Sequence, residues 1–244
     1  MHRCLVTTEN LLADTLTLGR EASHHLHTVL RVRPDDPVVL FDGQGRTRRA
    51  LVRSAERHSV ALTAAEPAQT HPAPVCAITL FACISKGHRM DWTVEKAVEL
   101  GIARLVPVIS EHTVVRLAPG DREGKAERWR RVAAEAARQC GAVWMPTIVS
   151  PLPFREALPL VATTLPVFTA ALTPAARPLR EVFASHSEPP VHAGWFVGPE
   201  GDFSEAELAE LTATGATPVS LGPLVLRSET ACLYGLCALN AAWL

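Results

Sequence analysis

Apolar and polar positions follow two different rhythms along this chain. Over the first seventy residues they alternate. Val38-Val39-Leu40-Phe41 runs into Asp42-Gly43-Gln44-Gly45, and further alternating stretches follow at 47–52 and 59–63. Short strands bounded by Asp and Gly turns read as hairpins, so a small β-barrel or curled sheet is expected here. A helix interrupts it at about 20–31, with Leu26, Val29 and Leu30 on its apolar side.

The rhythm changes at residues 67–74, Pro-Ala-Gln-Thr-His-Pro-Ala-Pro, which can continue neither a helix nor a central strand. Beyond this joint, strands are expected at about 75–84, 104–109, 165–170, 193–198 and 217–221. Helices are expected at about 89–100, 122–140, 175–185 and 204–214, with a last one from about 229 to 243. Such alternation implies an α/β fold whose parallel sheet is covered on both faces. Met90, Val94, Ala97 and Val98 fit a 3.6-residue period closed by Gly101. Ser204 with Glu207 forms a capping box, and Gly215 ends that helix. The final helix is apolar on almost every face, which predicts burial all round, deep in the fold or in a subunit interface. Two domains are expected, over 1–70 and 75–244.

Charge and composition narrow the reading. The 244 residues carry 24 Lys+Arg against 25 Asp+Glu, for a net charge of -1. With 48% hydrophobic and 20% charged residues, a disordered chain is excluded. The longest apolar run, Val75 to Ile84, falls well short of the ~20 residues of a membrane helix. The N-terminus has no signal-peptide core, so a cytoplasmic protein without a membrane partner is expected. Six cysteines with no Cys-x-x-Cys pair predict free thiols and no metal site. Nucleic-acid binders usually carry a basic excess, and here any such face has to be local. Arg46, Arg48, Arg49, Arg53 and Arg57, on or beside one hairpin, form either an RNA-contacting stripe or a solvated strand face.

Two glycine turns carry the candidate chemistry. Trp195-Phe196-Val197-Gly198-Pro199-Glu200-Gly201-Asp202-Phe203-Ser204 runs from a strand through a turn into the capped helix. Val219-Ser220-Leu221-Gly222-Pro223-Leu224-Val225-Leu226-Arg227-Ser228-Glu229-Thr230-Ala231 does the same before the last helix. Ligands of open α/β sheets settle beyond the carboxyl ends of strands, where glycines admit close backbone approach. Neither turn matches a dinucleotide fingerprint or a P-loop. No Cys/His or Ser/His arrangement suggests a covalent nucleophile.

Islands along nearly the whole chain resemble one family. They are His24-His25-Leu26 with Val29-Leu30-Arg31, Leu40-Phe41-Asp42-Gly43, Lys86-Gly87, Arg89-Met90-Asp91-Trp92, Lys96, and Glu99-Leu100-Gly101. Gly198-Pro199-Glu200-Gly201, Leu221-Gly222-Pro223, Leu226-Arg227 and Glu229-Thr230-Ala231 complete the set. The pattern resembles the SPOUT class of S-adenosylmethionine (SAM) enzymes, and within it the ribosomal RNA small subunit methyltransferase E family. That resemblance implies a C-terminal trefoil-knot SPOUT domain with a parallel sheet, preceded by a small PUA-like β-barrel. It also implies a homodimer, bent SAM as the cofactor, no metal, and methylation of a uridine N3 in 16S rRNA. Gly198, Gly201, Leu221 and Gly222 would present backbone to the adenosine, Leu226 would pack on SAM, and Val197 and Thr230 would join them. Arg227 and Glu229 are the polar candidates for catalysis.

The sequence departs from the family pattern at cationic positions. Asp202 stands where a second glycine is usual, Leu224 and His112 where arginine is common, and Ala142-Val143-Trp144 where one or two arginines precede a proline. Arginine grips phosphate through paired hydrogen bonds that alanine, valine and tryptophan cannot make. Trp144 and Tyr234 could instead wall a sulfonium cation. The expectation is therefore a diverged enzyme acting on a small molecule, or on SAM itself, by cyclisation to azetidine-2-carboxylate and methylthioadenosine. Methylation of 16S rRNA is the alternative.

Overall fold

The structure is a computed structural model that describes residues 2–184, 186 and 188–243. It divides into two compact units. Unit 1 comprises 1–73 together with 137–145, and unit 2 comprises 74–136 and 146–244. The segment 137–145 falls within the expected second domain, yet it clusters with the first.

Unit 1 contains β1 (His2–Leu5), α1 (Thr8–Leu12), β2 (Thr15–Thr17), α2 (Arg20–His24), β3 (Pro37–Phe41), β4 (Arg46–Glu56), β5 (Ser59–Ala64) and β6 (Gln69–Thr70). Its sheet runs β1-β3-β4-β5-β2, with β6 paired to β4; β1 and β3 are parallel and the other pairs antiparallel. Alternation in β3 and β4 buries Val38, Leu40, Ala50 and Val52 in one core with Leu11, Leu26 and Leu62. The helix expected at 20–31 is α-helical only to His24. It widens into a π turn over His25–Val29 and stops at Arg31, whose φ is +53°.

Asp42 builds the β3–β4 turn. Its carboxylate accepts from the Gln44 N–H at 2.8 Å, the Arg46 N–H at 3.0 Å and the Thr8 hydroxyl at 2.9 Å. Burial alone would raise its pKa, but these bonds and the Arg46 charge outweigh that and hold it below the ordinary value.

Unit 2 begins with β7 (Ala77–Cys83), α3 (Arg89–Glu99), β8 (Arg104–Ile109) and α4 (Arg122–Cys140), whose residues from 137 on count with unit 1. There follow β9 (Thr147–Ile148), β10 (Leu152–Pro153), α5 (Phe154–Ala162), β11 (Val167–Ala170), β12 (Arg177–Pro178) and α6 (Leu179–Ala184). The helix expected at 175–185 is thus shortened by a strand, and residue 185 lies outside the described residues. The unit ends with β13 (His192–Val197), α7 (Glu205–Ala213), β14 (Thr217–Ser220) and α8 (Ser228–Trp243).

The sheet is parallel throughout, in the order β10-β8-β7-β13-β11-β14-β12, with β9 paired to β8. Successive side chains of β13 point to opposite faces. Phe196 stacks on Phe81 at 5.2 Å in the core beneath α5 and α7. Trp195, on the other face, donates its indole N–H to the Ala231 carbonyl of α8 at 3.1 Å. α8 also packs on α3, β7 and β13. Within this chain α8 keeps a face open: Tyr234 is 48% exposed, and Cys237 and Ala241 are exposed with it. Gly235 sits on the covered side, where a Cβ would overlap the Trp195 ring. Among the described residues, no helix is long and apolar enough to cross a membrane.

Candidate active site

The carboxyl ends of three adjacent strands, β13, β11 and β14, open into one cavity that is partly open to solvent. Three loops wall it: Ala171 and Leu172 after β11, Gly198 to Asp202 after β13, and Leu221 to Leu226 after β14. Ser228 and Ala231 of α8 close the inner side. The side-chain walls are mostly apolar, while Glu200 and Asp202 bring two carboxylates to them.

Local bonds fix the β13 loop. Ser204 accepts from the Glu207 N–H at 3.4 Å, and the Glu207 carboxylate accepts from the Ser204 N–H at 3.2 Å, completing the capping box. The other Glu207 oxygen accepts from the Glu111 N–H at 2.9 Å, tying in the end of β8. Asp202 occupies left-handed backbone space at φ +57°, which explains why glycine suits this position. Its side chain offsets the strain by accepting from the Phe203 N–H at 2.8 Å and from the Leu172 N–H at 3.3 Å.

His112 closes the loop from outside, its Nδ1 meeting the carbonyls of Gly201 at 3.1 Å and Asp202 at 3.0 Å. The Asp202 carbonyl raises the His112 pKa, desolvation opposes the rise, and the Gly201 carbonyl with the Glu111 and Glu207 charges adds to it.

Arg89, at the start of α3, donates to Glu200 at 3.0 Å, and its Nε lies 3.8 Å from a Glu229 oxygen. The second Glu229 oxygen is buried without a hydrogen-bond partner. Burial pushes the Cys83 thiol up to about 12 and raises Cys232 as well, so neither supplies a thiolate nucleophile. Among the described residues, no group of three or more His, Cys, Asp and Glu side chains could hold a metal ion.

Five residues expected to bind cofactor line this cavity: Val197, Gly198, Leu221, Gly222 and Leu226. Gly201 and Thr230 do not. Gly201 instead borders a shallow hollow with Glu111 and His112. Neither Arg227 nor Glu229 is in the wall, though Ser228 and Ala231 beside them are. Arg227 and Thr230 are exposed. Sequence reasoning missed the β11 loop, because Ala170-Ala171-Leu172 carries no glycine to mark it. The two glycine loops flank β11 rather than sitting on neighbouring strands.

Trp144 and Tyr234, expected to wall a sulfonium, do not line the cavity. Trp144 belongs to unit 1. Its indole N–H donates to the Pro72 carbonyl at 3.0 Å, and its backbone bridges Gln44. Through these contacts Trp144 is tied to other parts of unit 1.

The arginine stripe is largely occupied within unit 1. Arg48 donates to the carbonyls of Leu11, Leu12, Ala13 and Glu66 and pairs with Asp14, while Arg49 pairs with Glu66 and Arg46 with Asp42. Arg57 instead joins Arg20, Glu21, His24 and His58 around a separate hollow. Desolvation and the charges of Arg20, Arg57, His24 and His27 lower the His58 pKa.

Fold and cavity together define a parallel α/β domain with a ligand site at its strand ends, joined to a smaller β unit. The family model described as "RNA methyltransferase domain" matches residues 71–240, and "RNA methyltransferase PUA domain" matches 18–64. A Synechocystis protein named ribosomal RNA small subunit methyltransferase E is 30% identical over 98% of this chain and 77% of its own length. The Bacillus subtilis protein of that name is 26% identical over 93% and 90%. A crystal structure of the Neisseria gonorrhoeae enzyme of that name, bound to SAM, superposes with a TM-score of 0.89 at 31% identity, covering 100% of this chain and 98% of its own. The chain belongs to the ribosomal RNA small subunit methyltransferase E family, and it is an enzyme of the methyltransferase class.

These relatives correct the expectation of a small-molecule or self-reacting SAM enzyme. They match both units across nearly the whole chain and are named as rRNA methyltransferases. The segment without arginine at 142–144, the main reason for expecting divergence, clusters with unit 1 and does not line the cavity.

Proposed function

We propose that this protein is a SAM-dependent methyltransferase of small-subunit ribosomal RNA, acting on a uridine N3 as the family resemblance implies. One observation carries this reading: both units match, in order, relatives named for that activity, one of them solved with SAM. The cavity fits that cofactor. Its backbone-rich loops offer hydrogen bonds to an adenine, and Glu200 and Asp202 suit a cation. The space where a Gly222 Cβ would stand is open. When bound, SAM supplies an electrophilic methyl group on a sulfonium.

The chain's own contribution is positioning and exclusion of water, with Leu172, Leu221 and Leu226 as apolar walls. We read the segment after β14 as the knotted part, because α8 packs back on β7, β13 and α3. Unit 1 is read as a PUA-like barrel that holds RNA. The open α8 face at Tyr234, Cys237 and Ala241 suits a second copy of the chain, in a homodimer. A ribosomal substrate places the work in the cytoplasm.

The test supplies purified protein with SAM and 30S subunits lacking base methylation, then digests the RNA for mass spectrometry. N3-methyluridine appearing in step with S-adenosylhomocysteine is expected. Transfer to another base, or consumption of SAM without RNA, overturns the reading.

A further inference from the structure

A second cavity opens at the same edge of the sheet, beyond the carboxyl ends of β7 and β8 and within unit 2. The connection after β7 leads to β8 on one side, whereas the connection after β13 leads to β14 on the other. Loops that part in this way leave a crevice where ligands settle. The Arg89–Glu200 pair spans it at 3.0 Å: Glu200 lines the first cavity, and His88 and Met90, on either side of Arg89 in sequence, line the second. Ile84, Met90 and Trp129, each at most 3% exposed, give the second cavity an apolar lining, with half-buried Val115 beside them. Ser85 lines it too, 6% exposed, and its hydroxyl has no hydrogen-bond partner among the described residues. Buried hydroxyls are normally paired, so this one is left for an occupant of the cavity. Asp91 brings a carboxylate to the wall, but Arg128 holds both of its oxygens, at 3.2 and 2.5 Å. Lys125 stands exposed in the wall with no ion pair among the described residues. The surplus charge of the cavity is therefore positive.

We propose that this cavity receives one nucleotide of the substrate RNA, its base among the apolar side chains and its phosphate at Lys125. The inference rests on the rRNA-uridine reading above and gives that reading a docking point beside the first cavity. N3 of uridine lies on the pairing edge, so the strand has to open before that atom is methylated. Enzymes that act on a base turn it out of the stack into a pocket. A nucleotide offers a flat apolar face, polar edge atoms and a phosphate one sugar away. Met90 and Trp129 suit the face. The Ser85 hydroxyl can donate to a base carbonyl or accept from a base N–H. Lys125 supplies a point charge for the phosphate. A purely apolar ligand would have no use for the cation, and a bare anion would have none for the apolar lining.

The chain has three methionines, Met1, Met90 and Met145, of which Met90 lines this cavity and gives it a local probe. Protein with isotope-labelled methionine methyls, the Met90 signal assigned through Met90→Leu, is first saturated with S-adenosylhomocysteine to fill the first cavity. It is then titrated with uridine monophosphate, uridine and inorganic phosphate under nuclear magnetic resonance. Uridine monophosphate should move the Met90 signal saturably and bind more tightly than uridine or phosphate. Lys125→Ala should weaken it by about 3–10-fold and bring it level with uridine. Ser85→Ala should weaken uridine and its monophosphate alike, by about threefold. In single-turnover transfer to 30S subunits, both variants should need more substrate for half-maximal rate, with SAM affinity unchanged. A Met90 signal that stays still across the millimolar range overturns the proposal. So does an equal response to inorganic phosphate, which would make this an anion site only, or unchanged half-saturation in both variants. If wild type methylates some other position, the functional reading fails instead, and the Met90 titration still reports whether a nucleotide enters this cavity.

Discussion

Gly45 and Trp144 are paired across ninety-nine positions of sequence: Gly45 adopts φ +83°, and a Cβ there would overlap the indole ring. The Gly45 N–H also donates to the Val143 carbonyl at 2.9 Å, and the Met145 N–H to the Gly43 carbonyl at 2.9 Å. This makes Trp144 a structural residue, only 37% exposed despite its place in a loop. Gly45→Val should cost about 1–3 kcal/mol from overpacking and backbone strain. Trp144→Ala should cost about 2 kcal/mol. In both variants SAM affinity should stay unchanged. Urea unfolding and calorimetry check this, and a tenfold weaker SAM affinity in Trp144→Ala at wild-type stability would contradict it.

Asp202 ties the β13 loop to the β11 loop across the cavity through the Leu172 N–H. Asp202→Gly relieves the left-handed backbone but frees Leu172, whose side chain is exposed at the cavity mouth. The expected result is SAM affinity weaker by about 3–10-fold, in line with the loss of one charge-assisted bond. Amide exchange around 171–173 should quicken as well. Equal affinity and equal exchange would show that the tie holds nothing.

The His112 contact carries a pH signature. Its folded pKa lies above the ordinary 6.5. The stabilisation is therefore complete below the unfolded value and is lost as pH rises through the raised folded value. Amide protection in the Gly201–Asp202 turn, corrected for intrinsic exchange, should fall over that window in wild type. His112→Ala should remove the dependence. A flat wild-type profile would refute this role.

Arginines of unit 1 should divide into two kinds. Arg20→Ala with Arg57→Ala should weaken 30S binding and reduce the slope of log K against log salt by roughly 1–2, since both face an open hollow. Arg48→Ala should lower stability instead, because it strips a donor from the carbonyls of Leu11, Leu12 and Ala13. If Arg48→Ala changed the salt slope and Arg20→Ala with Arg57→Ala did not, the assignment would be reversed.

What could be read from the chain depended on how local the cause was. The strand at 104–109 and the helix at 122–140 show their bounds in sequence, because the pattern that marks them lies within the segment. The two glycine loops were legible for the same reason, and five of the seven residues expected to bind cofactor wall the cavity. The β11 loop was not, since its membership follows from β11 lying between β13 and β14. Trp144 misled because its partners, Gly45 and Pro72, are far away along the chain. The arginine stripe stayed open between two uses because strand alternation does not show that neighbouring carbonyls occupy Arg48. Glu229 was picked out by its motif, but its unpartnered oxygen is a property of burial alone.

The return of residues 137–145 to unit 1 sets a schedule for the chain as it is made. Synthesis delivers the N-terminus first, so all of β1 to β6 emerges before the segment that bridges Gln44. Until Trp144 arrives, the turn at 43–45 lacks the partners of its Gly43 carbonyl and Gly45 N–H. By then β7, α3, β8 and α4 have also emerged. The first unit can thus close only after much of the second has been made, while the second still awaits everything from β9 to α8.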